Sequence, residues 1–150
     1  EKEKMPKSKI ALGCDHGGYE LKTYIEKYLA KNGFDYKDFG TFDRNSVDYP
    51  PIAKEVAKSV ANGNYSKGIL LCGTGLGMCI TANKIPGIRA VTCHDTYSAR
   101  MSRSHNDANI LTMGGRVVGI DLALDIVDTW LRTEFEGGRH KRRVDMIEKP

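Results

Sequence analysis

Cys72 closes the apolar run Gly68-Ile69-Leu70-Leu71 and is followed by Gly73-Thr74-Gly75-Leu76-Gly77. A strand that runs through a glycine-rich turn into a helix aims backbone N–H groups at an anion. Residue types exclude three specific forms of this arrangement. A nucleotide P-loop ends in Gly-Lys-Ser/Thr, and here Leu76-Gly77-Met78 stands instead. The dinucleotide fingerprint needs a third glycine where Met78 lies. A thiol phosphatase loop needs arginine at that same position. What remains is a thiol at the mouth of an N–H-lined turn. Such a setting favours the thiolate, and the same N–H groups can stabilise an oxyanion. Position alone also fits Cys72 as a small buried hydrophobe at a strand end. Cys14, Cys79 and Cys93 fit that second description better.

Asp15-His16 ends the first apolar run, and a carboxylate beside an imidazole can orient it. His105 lies in Ser104-His105-Asn106-Asp107 at the end of a helical segment, where a capping or surface role is equally open. His94 and His140 read as bystanders. No HExxH or HxxxH spacing and no cysteine pair at ligand spacing occurs, so no metal site is expected. Arg116 follows the last strand. Arg139 and Arg143 are four apart and share one face of a helix, a pairing suited to phosphate. The competing readings of that segment are a solvated basic tail or a nucleic-acid patch. An RNA-binding surface would interleave aromatics with the charge, and residues 137–150 contain none.

These residues need a scaffold, and the hydrophobic pattern supplies one. Strands are expected over Lys9–Cys14, Phe34–Phe39, Gly68–Cys72, Ile88–Cys93 and Ala108–Met113. Between them, apolar residues recur at helical spacing. Leu21 to Leu29 stops at Asn32-Gly33, and Ile52 to Ala61 starts after Pro50-Pro51 and stops at Asn62-Gly63-Asn64. Further helices are expected from the glycine loop to about Lys84, over Asp95–Ser104, and over Ile120–Leu131. A short basic helix should follow Gly137-Gly138 and run to about Glu148. Alternating strands and helices give an α/β fold, a parallel sheet covered on both faces. Ligands in such folds sit at the carboxyl ends of the strands. Asp15-His16, Cys72–Gly75, His94-Asp95 and Gly114–Arg116 are therefore the places to look.

The chain has 150 residues, 40% hydrophobic and 28% charged. That is one ordinary globular domain, which buries roughly 70% of its unfolded surface and needs no disulfide or metal to fold. No apolar run approaches the ~20 residues that span a bilayer, so no membrane partner is expected. Glu1-Lys2-Glu3-Lys4 has no apolar stretch behind it and does not read as a signal peptide. Residues 1–8 are expected to form a disordered tail, with a single domain over 9–150. Four cysteines without a CxxC pair fit a reducing cytoplasm. The net charge of +4 is too weak to imply nucleic acid by itself.

Seven blocks then carry a resemblance. They are Gly13-Cys14-Asp15-His16-Gly17-Gly18, Asp48-Tyr49-Pro50, Cys72-Gly73-Thr74-Gly75-Leu76-Gly77, Ala82-Asn83-Lys84, Gly87-Ile88-Arg89-Ala90, Ser104-His105-Asn106-Asp107 and Glu136-Gly137-Gly138-Arg139-His140. In this order, from about Lys9 to Ile147, they resemble the type B ribose-5-phosphate isomerases. That family also holds sugar-6-phosphate isomerases for galactose and allose. The resemblance implies a three-layer, Rossmann-like α/β/α domain with a five-stranded parallel sheet of order 2-1-3-5-4. It implies homodimers, sometimes tetramers, and cofactor-free interconversion of ribose 5-phosphate and ribulose 5-phosphate.

The resemblance also implies roles. Cys72 matches the base that moves a proton between C1 and C2. Thr74 and the N–H groups of Gly75, Leu76 and Gly77 match the part that stabilises the enediolate, and Gly73 matches a substrate-binding position. His105 matches the group that opens the furanose ring, and Asp15, Tyr49 and Asn106 match residues that hold sugar oxygens. His16, Arg116, Arg139 and Arg143 match the phosphate ligands, the last two reaching in from a partner subunit. One branch of the family replaces the cysteine by a glutamate further along the loop. Met78 occupies that position here, so the sequence falls in the cysteine branch. A six-carbon sugar 6-phosphate remains the alternative substrate. A nucleic-acid-binding module using the basic tail is the rival from another class.

Overall fold

The computed structural model describes residues 8–149. Strands β1 (Lys9–Cys14), β2 (Asp35–Asp38), β3 (Lys67–Cys72), β4 (Ala90–Thr92) and β5 (Ile110–Gly114) alternate with helices. The helices are α1 (Tyr19–Lys31), α2 (Tyr49–Ala61), α3 (Leu76–Ala82), α4 (Thr96–Ser104), α5 (Ile120–Arg132) and the terminal α6 (Arg139–Glu148). The strands form one sheet of order β2-β1-β3-β5-β4, every pair parallel. This is the covered parallel sheet expected from the hydrophobic pattern, with the α/β/α layering and strand order that the resemblance implies. The expected tail over 1–8 lies, apart from Ser8, outside the described residues.

Alternation along the strands divides the core in two, because successive side chains point to opposite faces. Ile10, Leu12, Ile69, Leu71, Leu111 and Met113 pack with Leu21, Ile25 and Leu29 of α1 and Ile126, Val127 and Trp130 of α5. Ala11, Leu70, Cys72 and Ile110 pack on the other face with Ala53, Val56 and Ala57 of α2 and Met78 and Ala82 of α3. Each fully buried Leu or Ile contributes about 1.5–3 kcal/mol, so both helical layers are held firmly to the strands.

Several boundaries differ from the sequence reading. The edge strands β2 and β4 are shorter than expected, since each has only one neighbour to extend its ladder. Helix α2 starts at Tyr49, with Pro50-Pro51 inside its first turn, where missing N–H groups cost nothing. Helix α3 stops at Ala82, short of Lys84. A one-turn 3-10 helix, His16–Gly18, precedes α1, and the Asp15 carboxylate caps it through the N–H groups of Gly17 (2.9 Å) and Gly18 (3.3 Å).

Positive φ at Gly137 (71°) and Gly138 (56°) turns the chain into α6. The helix then lies on its own chain. It buries His140 and Val144, and Glu148 accepts from Arg89 Nη1 at 2.5 Å.

Candidate active site

Three strand ends converge at the carboxyl edge of the sheet. Gly115 N–H donates to the Cys72 carbonyl (2.8 Å) and Arg116 N–H to the Gly73 carbonyl (3.1 Å), which ties the turn after β5 to the turn after β3. Asp15 N–H donates to the Leu71 carbonyl (3.1 Å), which ties in the turn after β1. The backbones pack so closely that only glycine fits. A Cβ at Gly17 would stand 2.8 Å from Gly73 N, and one at Gly114 would stand 2.6 Å from Thr74 Cα.

Cys72 is buried at the centre of this cluster. Gly75 N–H donates to its Sγ at 3.1 Å, a contact that stabilises negative charge on sulfur. Gly75 can do this because its φ is 82°, and a Cβ there would meet the Met113 backbone at 2.8 Å. A buried chain of hydroxyls fixes the same residue from below. Thr112 Oγ1 donates to the Gly75 carbonyl at 2.8 Å and lies 2.7 Å from Thr92 Oγ1. Thr74 Oγ1 accepts from Leu76 N–H at 3.2 Å. Two of the loop donors, Gly75 and Leu76, thus shape the turn. The Tyr49 ring lies over Gly77, where a Cβ would come within 2.4 Å of Cε1.

His16 and Arg116 stand on the two turns that pack against the Cys72–Gly73 backbone. His16 Nδ1 accepts from Val47 N–H at 3.2 Å, which leaves Nε2 as the donor of the neutral ring. The Arg116 guanidinium lies beside Gly73, with Nη1 3.2 Å from that residue's would-be Cβ. His94, read from sequence as a bystander, accepts from Gly114 N–H through Nε2 at 3.0 Å and braces the β5 turn.

The remaining residues singled out from sequence lie elsewhere. His105 is the C-cap of α4, and Asn106 follows it. Helix α4 runs back across the sheet, so both residues sit at the amino edge. There Asn109 N–H donates to Arg89 O (3.0 Å), just ahead of β4 and β5. Cys72 pairs with Gly114 at the far end of β5, while Gly68 pairs with Ile110 at its start. Four strand steps of about 3.3 Å separate those ends by roughly 13 Å.

Helix α6 is on the same side as His105. The His105 and His140 rings stack at 4.1 Å between centroids and 8° between planes. Glu136 lies 3.5 Å from His105 Nε2 and 3.9 Å from His140 Nε2. Burial pushes the His140 imidazole below its ordinary pKa. The neighbouring His105 and Arg139 push the same way, and Glu136 opposes them. Arg89 ties the region together, with Nε donating to Asn106 O (3.1 Å) and Nη2 to Asp107 O (2.8 Å). Arg139 and Arg143 are exposed on α6. One chain therefore carries two groups. Asp15, His16, Tyr49, Cys72–Gly77 and Arg116 form the first, and His105, Asn106, Arg139 and Arg143 the second.

Sequence reading missed Thr112, Thr92, His94, Glu136 and His140. A threonine inside the buried run Ile110-Leu111-Thr112-Met113 was the available signal, since a buried hydroxyl needs a partner. Glu136 and His140 gave none, because their neighbour His105 is remote in sequence.

A parallel α/β domain that collects a thiol, a glycine turn and cations at its carboxyl edge, with no nucleotide motif, is of the class that handles small phosphorylated substrates. The chain belongs to the Ribose/Galactose Isomerase family, whose model matches residues 10–147. It is 52% identical over 141 residues to the Ribose-5-P isomerase B of Listeria innocua, covering 94% of this chain and 95% of that one. It is 44% identical to the D-erythrulose-4-phosphate isomerase of Pectobacterium atrosepticum, covering 92% and 91%. The solved Clostridium thermocellum Ribose-5-Phosphate Isomerase B superposes with a TM-score of 0.93 at 59% identity, covering 94% of this chain and 95% of that one. Among the described residues no helix is long and apolar enough to cross a membrane.

Proposed function

We propose that the protein interconverts D-ribose 5-phosphate and D-ribulose 5-phosphate through an enediolate, with Cys72 as the proton-transferring base. The observation that carries this reading is the Gly75 N–H on Cys72 Sγ at 3.1 Å. It aims an oriented N–H donor at the one buried sulfur in the glycine loop, the contact that a proton-accepting sulfur in this position needs.

His105 opens the furanose ring. The Cys72 thiolate then takes the C2 proton of the open aldose. The C–H electron pair becomes the C1–C2 double bond, and the carbonyl pair moves onto O1. The thiol, after exchange with solvent, delivers a proton to C1, while the O2 proton passes to O1, and the ketose carbonyl forms at C2. Thr74 and loop N–H groups face the developing oxyanion, where each donor is worth about 3 kcal/mol. Asp15, Tyr49 and Asn106 hold the sugar oxygens. His16, Arg116, Arg139 and Arg143 bind the phosphate, whose binding energy holds the reacting carbons in place.

These roles require a second copy of the chain. The separation of the two residue groups across the sheet supports a composite site in a homodimer. Cys72 and its loop come from one subunit, and His105, Asn106, Arg139 and Arg143 from the other. Reciprocal exchange about a two-fold axis completes two such sites. The test is turnover of ribose 5-phosphate by purified protein in chelator, with allose 6-phosphate measured in parallel. Ketose formation from the pentose is the expected result. Turnover of the hexose phosphate alone would overturn the substrate assignment.

A further inference from the structure

We propose that His105, Glu136 and His140 form a site for a zinc-like divalent transition-metal ion, and that an ion bound there excludes the sugar. The exclusion rests on the ring-opening role of His105, whereas the site itself rests on geometry alone. One ligand atom from each of the three side chains lies within 4.8 Å of the others. A tetrahedral ion with ligands at about 2.0–2.1 Å sets neighbouring ligand atoms about 3.3–3.4 Å apart. Glu136 Oε2 is already 3.5 Å from His105 Nε2, and Glu136 Oε1 is 3.9 Å from His140 Nε2. A small rotation of this exposed carboxylate presents one oxygen, or both in bidentate ligation, to an ion between the two rings.

The third edge requires the stacked rings to splay from their present 8° so that both lone pairs converge. The elements permit this. The side chains of His105 and Glu136 are 39% and 56% exposed, while His140 is buried and serves as the fixed post. Glu136 and His140 are four apart on either side of the Gly137-Gly138 turn, and Glu136 N–H donates to the Ser104 carbonyl at 3.0 Å. That bond holds the carboxylate-bearing segment against the end of α4. Two imidazoles and one carboxylate select zinc, cobalt, nickel or copper over magnesium or calcium. Three protein ligands leave the fourth position to water. The same His105 lone pair cannot serve a metal and a sugar oxygen at once.

Cobalt(II) is the direct probe, because its visible d–d bands report tetrahedral nitrogen and oxygen ligation. A thiolate ligand would add near-ultraviolet charge transfer, which separates this site from Cys72. Titration of the full-length wild-type protein should produce the visible bands without the thiolate band. Cys72→Ser should leave them unchanged, while His140→Ala and Glu136→Gln should each abolish them. Circular dichroism of those two variants controls for folding. Absence of the bands in wild type, their persistence in His140→Ala, or their loss in Cys72→Ser would overturn the site. Zinc should inhibit turnover of ribose 5-phosphate, and chelator should reverse it. Ligand-dependent cobalt binding with unchanged turnover would refute the exclusion and the ring-opening role of His105, while leaving the metal site standing.

Discussion

In the proposed mechanism Cys72 and His105 divide the chemistry between them, and each can be removed separately. Cys72→Ser should abolish isomerisation while leaving the fold and phosphate-ligand binding intact, because a serine hydroxyl is too weak an acid to supply the base. Steady-state assays and thermal melts of the variant check this, and near-normal turnover would rule out the assignment. Iodoacetamide gives a second reading of the same residue. Burial pushes the Cys14 and Cys93 thiols up to about 11, so at neutral pH both remain protonated and unreactive. Inactivation should track alkylation of the Cys72 peptide and not that of half-buried Cys79, and substrate should protect Cys72. His105→Ala should behave differently. Ribulose 5-phosphate cannot close a furanose ring, because its C5 oxygen carries phosphate. The variant should retain proton exchange from the ketose while losing turnover of the cyclic aldose. Equal losses in both directions, measured by single-turnover isotope exchange, would contradict ring opening as the role of His105.

The element that matters most is the turn between β3 and α3. Its shape depends on Gly75 at φ 82°, with the Met113 backbone 2.8 Å from any added Cβ. Gly75→Ala should lose at least about 1–2 kcal/mol of stability from the left-handed conformation alone. It should lose most activity as well, since the N–H on Cys72 Sγ moves with the backbone. Urea denaturation beside a turnover assay measures both, and a fully stable, fully active variant would refute this account of the loop. The existence of this turn was legible in the sequence, because glycine spacing after an apolar run has few other uses. The regular helices were legible for a similar reason, their caps and prolines being local signals. The hydroxyl chain Thr92–Thr112–Gly75 was not, because it joins three elements whose adjacency arises only when β4, β5 and the loop are assembled. The lengths of β2 and β4 were misjudged because edge pairing, not hydrophobicity, decides where they end.

For the molecule as a whole, the expected parallel sheet already implied that Cys72, after a strand, and His105, after the helix between β4 and β5, lie at opposite edges, but the sequence reading did not draw that out. Both were legible as chemical groups, but their separation follows from the direction of α4, which returns the chain to the amino edge before β5. The proposed shared site rests on this separation, and subunit mixing tests it. Cys72→Ala protein and an Arg139→Ala/Arg143→Ala double variant, each nearly inactive, are unfolded, mixed equally and refolded. In trans, each mixed dimer has one intact site. Random assortment makes half of the dimers mixed, so activity should recover to about a quarter of wild type. Mixed dimers shown to be present but silent would mean that the arginines serve their own subunit.

The most direct test of the account as a whole follows the transferred hydrogen. Ribose 5-phosphate is incubated in deuterium oxide with purified protein and chelator, and the products are read by NMR. The account predicts ribulose 5-phosphate carrying solvent deuterium at C1, because the Cys72 thiol exchanges with solvent between taking the C2 proton and returning one. It predicts neither product nor deuterium with Cys72→Ser. Conversion without deuterium incorporation would point to direct hydride transfer, and undiminished conversion by Cys72→Ser to a different base. Either result would contradict the enediolate mechanism built around this thiol.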